Sequence, residues 1–504
     1  MKYQTMSNHF KIIVPLYNVQ DWIDKCIKSI KLQEYKNYQV FLIDDMSTDG
    51  TANKIKEAIS DDDRFIFIQN KEKKLALRNI YEAIMESGSD DEDIIVTLDG
   101  DDWLATKKAL NVLHDTYDKY KCHMTYGSYL EYPAMKKGTF CQQIPENIIK
   151  NNSYRENRWV SSHLRTFKRH LWNRIKIQDL LDDDGNFYKM TWDMAFMFPM
   201  LEMAGPLAVH IPHTLYSYNR QNPLNDDKVN HKLQLTTEQK IRNKKRYKQN
   251  FVTCNILGPG PANSGLGNQL FCVANVLSYA KDFDKLPYFP QIEENSAVKK
   301  YQSVFYKNLN VGLSLDIHTD VYREKSFSYD KIPQMQGNIL LGGYFQSSKY
   351  FDHNRDYILD CLNIEEKQEE IKQEYGDYSD YIGVHVRRGD YLKLKNYHNV
   401  LELEYYKMAM KHFGEDQKYI MFSDDIEWCK KNFNFISNVL YSKCKEDWQD
   451  MLLMSTCEKG QIIANSTFSW WSAWISNAEV VAPKKWFANS INTKDLYPTK
   501  WKTL

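Results

Sequence analysis

Ile94-Ile95-Val96-Thr97-Leu98-Asp99-Gly100-Asp101-Asp102 runs a β-branched, apolar strand straight into three carboxylates. Such a run suits a strand buried on both faces, and the acids mark where the chain emerges. Upstream the same pattern recurs in Phe10 to Leu16, in Val40 to Ile43 with Asp44-Asp45 at its end, and in Phe65 to Ile68. Between these runs Trp22, Ile23, Cys26, Ile27 and Ile30 return at helical spacing, as do Leu77, Ile80, Tyr81, Ile84 and Met85. Strand–helix alternation of this kind predicts a parallel sheet covered on both faces. Ligands of such sheets lie beyond the carboxyl ends of the strands, and both acidic clusters fall at such ends.

Clustered carboxylates repel one another unless something neutralises them. A Mn²⁺ or Mg²⁺ ion, held by one or two carboxylates and by substrate phosphates, is the expected remedy. It would offset charge on a departing diphosphate. Gly100 lets the backbone turn tightly between the acids. A bare Asp-x-Asp is common in surface turns, so the context of the motif decides its meaning.

That context is a resemblance. Val14-Pro15-Leu16-Tyr17-Asn18, Ile43 to Thr51 with Asp44-Asp45, Arg78-Asn79 and Leu98 to Asp102 resemble, in order and spacing, the family 2 glycosyltransferases. The resemblance implies a GT-A, Rossmann-like fold and single-displacement inversion at the sugar. It implies that Pro15, Tyr17, Asp45 and Arg78 bind the donor, that Asp99 serves both ribose and metal, and that Asp99 and Asp101 hold the metal–diphosphate. Its base motif corresponds to Thr191-Trp192-Asp193-Met194-Ala195-Phe196, making Asp193 the expected base. The family often has Glu directly before this Asp, where this chain has Trp192. Asp182, Asp183 and Asp184 are the alternatives, and they also suit a polar turn before Gly185.

The second half carries different motifs. Gly265-Leu266-Gly267-Asn268-Gln269-Leu270-Phe271 opens a helix, and glycines there let a ligand approach backbone amides. A tight turn explains such glycines equally well. Val384-His385-Val386-Arg387-Arg388-Gly389-Asp390-Tyr391 leads two arginines out of a strand. An arginine fork suits diphosphate oxygens, and without a metal motif arginine must stabilise the leaving group. One of the two is also expected to pair with Asp390. In Asn465 to Trp474, Ser466 and Thr467 suit a helix cap or a phosphate contact. Trp470, Trp471 and Trp474 sit at helical spacing and read as core.

With Leu341 to Gln346 and Phe422-Ser423-Asp424-Asp425, these segments resemble the family 11 fucosyltransferases, which form α-1,2 linkages. The resemblance implies a GT-B-like fold, GDP-fucose as donor, inversion and no metal requirement. His385 and Arg387 would be catalytic and bind the donor, with Gly267, Asn268, Arg388, Asp424, Ser466 and Thr467 also on the donor. His385, Asp390 and Asn268 are all open as the base.

The 504 residues suit two to four domains. We expect an α/β chain with a first domain at 1–220, a polar linker or solvated helix at 221–250, and a second domain at 251–504. A fresh strand is expected at Asn255, before Gly258-Pro259-Gly260-Pro261. Sixty-six basic residues balance 66 acidic ones, so a basic surface for nucleic acid is unsupported. Nine cysteines without a Cys-x-x-Cys pair argue against a zinc module or a disulfide framework and fit a reducing compartment. No run reaches the roughly 18 apolar residues of a membrane span, and Met1 to Phe10 lacks an apolar signal core. A cytoplasmic, bifunctional enzyme of glycan synthesis follows, using a nucleotide sugar (a UDP-sugar is the commonest expectation) and GDP-fucose on a glycan acceptor. The rivals are a chain in which one half only binds or scaffolds glycan, and a nucleotidyltransferase. The latter would want a Gly/Arg/Lys-rich loop where Pro15-Leu16-Tyr17-Asn18 stands. Oligomeric state is left open by the sequence.

Overall fold

In the computed structural model, which describes residues 8–223, 228, 230–255, 265–290, 292, 299–313, 319–414 and 416–504, the first strands send alternate side chains to opposite faces. Ile12, Val14, Val40, Leu42 and Val96 join a core with Ile23, Ile27, Ile30 and Leu113. Ile13, Phe41, Ile43 and Ile95 join another with Ile80, Ile84, Phe196 and Met200. Helices on both faces are why these strands read as unbroken apolar runs.

The chain divides into two compact units, the first ending at Gln249 and the second starting at Asn250. In the first unit, Phe65–Gln69, Tyr38–Asp44, Phe10–Leu16 and Ile94–Thr97 lie side by side in that order, all parallel. Register aligns Leu16 with Asp44 and Asp44 with Gln69, so these strands end at one level.

Past Ile94–Thr97 the sheet departs from the parallel expectation. Arg165–Lys168 runs antiparallel to Ile94–Thr97, and Met124–Tyr132 antiparallel to Arg165–Lys168. Ala208–Asn219 follows, parallel to Met124–Tyr132, then antiparallel Trp103–Leu104. Parallel neighbours need a covering crossover. After the helix Ala109–Tyr120 the strict strand–helix alternation gives way, and beyond it the parallel pair Met124–Tyr132 and Ala208–Asn219 is joined by a segment that holds the helix Trp192–Ala204.

The helix Trp192–Ala204 is buried from Met194 onward, as an all-apolar circumference requires. Its one interior acid, Glu202, is fully buried and meets buried Arg155 at 2.5 and 3.0 Å. That pair reaches the polar segment read as a linker or solvated helix. Arg155 Nη1 donates to Ile241 O at 2.6 Å, and Tyr247 N donates to Glu202 Oε2 at 2.9 Å. Arg242 in turn donates to the carbonyls of Arg155 and Asn157 at 2.6 and 2.9 Å. The segment is the helix His231–Arg242, which fits the solvated-helix alternative in burying Thr237 and Ile241 alone, and it groups with the first unit. Charged groups bonded to backbone carbonyls hold it, which composition does not register. Asp226, Asp227 and Gly258-Pro259-Gly260-Pro261 lie outside the described residues.

Among the described residues the second unit holds a two-stranded sheet, Phe289–Pro290 with Val311–Leu313, and two larger sheets, and the paired strands of all three are parallel. One of the larger sheets orders Leu286–Pro287, Phe251–Cys254, Ile339–Gly342 and Asp320–Arg323. The strand expected from Asn255 thus lies before it and ends at Cys254. The other orders Val439–Tyr441, Tyr419–Ser423, Ile382–Val386, Gly460–Ile462, Val480–Ala482 and Lys502–Thr503. The helix Leu266–Asp282 is buried along almost its whole length. Phe271 on it meets Trp470 and Trp471 at ring distances of 4.5 and 5.2 Å. Trp470, Trp471 and Trp474 are core, as their spacing suggested.

Removing one partner of a buried ion pair strands the other charge. Arg155→Ala is expected to cost about 3–5 kcal/mol, read as a lower urea midpoint. Arg155→Met with Glu202→Leu is expected to recover most of that loss.

Candidate active sites

At the strand ends of the first unit a cavity of about 780 Å³ gathers residues from separate motifs: Pro15, Tyr17, Asp45, Asp99, Asp101 and Asp193. Gly100 makes the loop possible. A Cβ there would lie 2.5 Å from Leu16 Cβ, so only glycine lets the acidic loop lie against the end of Phe10–Leu16. Asp45 accepts from the backbone amides of Lys74 and Leu75 at 2.8 and 2.9 Å and from Asn70 Nδ2 at 2.9 Å. These bonds outweigh its burial and hold its carboxyl below the usual range. The loop bearing Lys73 is thereby fixed, with Lys73 Nζ 3.1 Å from the centre of the Tyr17 ring.

Arg78 is placed differently from the expectation. It pairs with Glu82 at 2.8 Å and Glu72 at 3.2 Å and is absent from the cavity wall. Its neighbour Asn79 lines the cavity instead, buried and accepting from Asn70 at 2.7 Å. Asp182, Asp183 and Asp184 also lie off the wall. They form a turn in which Asp182 Oδ1 accepts from Asp184 N and Asn186 N, with Gly185 at φ +79°.

The acids are met by groups that the sequence reading missed. Asp102 accepts Tyr216 Oη and Asn219 N, each at 2.6 Å. Asp101 accepts Asn222 Nδ2 at 2.7 Å. Arg165, fully enclosed, donates to Asp193 Oδ2 at 2.9 Å, and its other arm lies 2.9 Å from His163 Nε2 and 3.9 Å from Asp99. Thr97 pairs with Arg165 across the sheet, which sets the guanidinium beside the acidic loop. Nothing local marks Arg165 or His163 in sequence, because that pairing spans more than sixty residues of chain.

Charge in the site is unbalanced. Burial and then Asp99 push the Asp101 carboxyl up to about 6. Burial, then Asp101 and Asp99, push Asp102 well above the usual carboxylate range. For Asp99 burial also raises, but the His163 hydrogen bond and the Arg165 charge prevail and it falls below. A divalent cation would relieve the surplus, so the donor set fits one. The atoms of Asp99, Asp102 and His163 cluster within 4.8 Å, a possible metal site different from the expected Asp99–Asp101 pair. Both Asp102 oxygens already accept hydrogen bonds, and His163 Nε2 faces Arg165.

In the second unit three parallel strands deliver the motifs to one place. Val386 pairs with Ser423 and Val384 with Ile462, so Arg387-Arg388, Asp424-Asp425 and Asn465-Ser466 all leave the sheet at one end. Arg387 pairs with Asp390 at 2.7 Å and Asp424 at 3.1 Å. Arg388 donates its amide to Asp424 at 2.9 Å, and its guanidinium stacks 3.7 Å from the Trp428 ring centre. Asp424 therefore holds the arginine turn as well as facing it.

Gly267 has a packing role. A Cβ there would lie 2.5 Å from the Thr467 carbonyl carbon, so glycine lets the starts of two helices touch. Ser466 is the N-cap of Thr467–Ser476 without a side-chain capping bond. Gln346 Nε2 donates to Asn268 Oδ1 at 2.8 Å and turns the Asn268 amide, a role the sequence reading did not assign. His385 is buried against Phe468, and burial followed by the Arg387 charge lowers its pKa to about 3.

The sequence model described as Glycosyl transferase family 11 matches residues 224–504, and that described as Glycosyl transferase family 2 matches residues 11–180. The chain is 36% identical over 180 residues to the O-antigen biosynthesis glycosyltransferase WbnK of Escherichia coli, covering 32% of this chain and 59% of that protein. The match therefore spans less than two thirds of WbnK. It is 30% identical over 289 residues to an alpha-1,2-colitosyltransferase of Escherichia coli, covering 47% of this chain and 95% of that protein. Among solved structures, S. aureus TarS 1-349 in complex with UDP-GlcNAc aligns at 13% identity and a TM-score of 0.35, over 55% of this chain and 73% of that one, a likeness too slight to carry an argument.

His385 stays neutral in the folded chain down to about pH 3, whereas an unfolded histidine takes up its proton near pH 6.5. Its contribution to stability is thus full above about pH 6.5 and lost as pH falls towards 3. His385→Gln is expected to flatten the fall in urea midpoint between pH 6.5 and 4.

Proposed function

The chain belongs to glycosyl transferase family 11 through residues 224–504 and carries a family 2 glycosyltransferase domain at residues 11–180; from that premise we propose a bifunctional, inverting enzyme that adds two sugars to one growing glycan. The observation that carries the reading of the first half is the single cavity that unites Pro15, Tyr17, Asp45, Asp99, Asp101 and Asp193. A mixed α/β unit with four parallel strands leading to that cavity fits a GT-A fold. The two larger parallel sheets of the second unit support a GT-B-like reading.

In the first half, Pro15, Tyr17 and Asp45 enclose the nucleotide, a UDP-sugar in the leading case. Asp99 and Asp101 hold Mn²⁺ or Mg²⁺, which supplies positive charge for the diphosphate. Asp193, fixed by Arg165, takes the proton from the acceptor hydroxyl as that oxygen attacks the anomeric carbon. In the second half, Arg387 and Arg388 meet the diphosphate of GDP-fucose without a metal, and the helix starts at Leu266 and Thr467 add amide donors. A colitosyl donor is the second reading for this half, favoured by the colitosyltransferase relative. O-antigen-type glycan is the proposed product class, following WbnK. Among the described residues no helix is long and apolar enough to cross a membrane. We place the enzyme in the cytoplasm, the reducing compartment that nine free thiols suit. Joining the two activities raises the effective concentration of the intermediate at the second site.

Donor turnover across a nucleotide-sugar panel, with and without Mn²⁺, tests both halves. Asp193→Asn is expected to slow metal-dependent transfer by about 10²–10⁴-fold while donor affinity holds. Arg387→Ala is expected to abolish metal-independent use of GDP-fucose or the colitosyl donor. If one half binds glycan but turns over no donor, that half is a scaffold and the bifunctional reading fails.

A further inference from the structure

Besides the donor motifs and Asp193, the wall of the 780 Å³ cavity includes Trp159 and residues of the helix His231–Arg242. Gln234, Glu238 and Arg242 lie four residues apart and so form one stripe of that helix facing the cavity. Thr191 Oγ1 donates to Gln234 O at 3.2 Å, which ties the stripe to the turn bearing Asp193. Arg242 is committed: it bonds Glu238 Oε1 at 2.8 Å and two backbone carbonyls. It therefore orients Glu238 rather than attracting an anion.

An acceptor must bring its hydroxyl to Asp193 from the side that the donor does not occupy. We propose that Trp159, Gln234 and Glu238 form the acceptor subsite of the first half and that it takes a neutral saccharide. The sugar ring stacks on the Trp159 indole, and its hydroxyls bond to the Glu238 carboxylate and the Gln234 amide. Gln234 and Glu238 lie beyond residues 11–180, the extent of the family 2 match, whereas Trp159 lies within it, so the subsite draws on more of the chain than that match covers. The assignment rests on the transferase reading above.

The test uses the full chain with UDP and, as probes, methyl β-galactoside, methyl α-mannoside and methyl N-acetyl-β-glucosaminide. With Mn²⁺ loaded, a glycoside bound beside Asp99 and Asp101 has its proton signals broadened by the metal, which separates this site from the second unit. At least one probe is expected to be broadened saturably. Glu238→Ala and Trp159→Ala should each weaken that binding about tenfold or more, with UDP affinity changed less than twofold. UDP retention also shows that the variants fold. The acceptor assignment is overturned if UDP binds and no glycoside is broadened, if broadening survives both variants, or if UDP weakens in parallel. Failure of the wild type to bind UDP or GDP overturns the transferase reading along with it.

Discussion

Three carboxylates crowded on one loop cannot all stay charged unless other groups meet them, and much of the first unit answers that demand. Tyr216 and Asn219 come from one strand, His163 and Arg165 from the approach to another, and Asn222 from the turn beyond. None is near the acidic loop in sequence. The mixed half of the sheet, against which the helix Trp192–Ala204 packs, carries these donors to the end of the parallel half. The field extends behind the loop as well: burial, then Asp102, Asp101 and Asp99, raises the thiol of Cys26 far above its usual range. Such a site is preorganised for a positive partner before any arrives.

What the sequence disclosed and what it hid divide along one physical line. Strands such as Phe10–Leu16 announce themselves because double-sided burial demands consecutive apolar residues, and the acids at their ends follow from the fold class. Local motifs likewise placed Asp45, Asp99, Asp101 and Asp193 in one cavity. Arg165 and His163 were invisible because their position depends on which strand pairs with which. Arg78 was misplaced for the same kind of reason. One step along the helix Leu75–Glu86 separates the buried face, where Asn79 sits, from the surface, where Glu72 and Glu82 claim the arginine.

The second unit solves the opposite electrostatic problem. Two adjacent arginines must be kept extended and ready, and Asp390, Asp424 and Asp425 share them between two strand ends that register holds level. The acids are near enough to organise the guanidinium groups. Glycine works here by subtraction: Gly389 lies where a Cβ would meet Asp424 Oδ2 at 2.5 Å, and Gly267 where it would meet Thr467. Both motifs owe their glycines to close packing around the site, a role that a reading based on turns alone does not distinguish.

The helix His231–Arg242 has a consequence for how such a two-unit gene can be assembled. Its polar composition resembles a seam, yet it is clasped into the first unit by Arg155 and Glu202 and walls the catalytic cavity. A recombination event cutting at residue 220 would pass on a first module with one wall missing. A cut at Gln249 and Asn250 would leave that wall with the first unit, although the family 11 match begins at residue 224. Division of such a chain is therefore constrained by where side chains grip the backbone, and the hydrophilic stretch is a poor guide to the place where one compact unit ends.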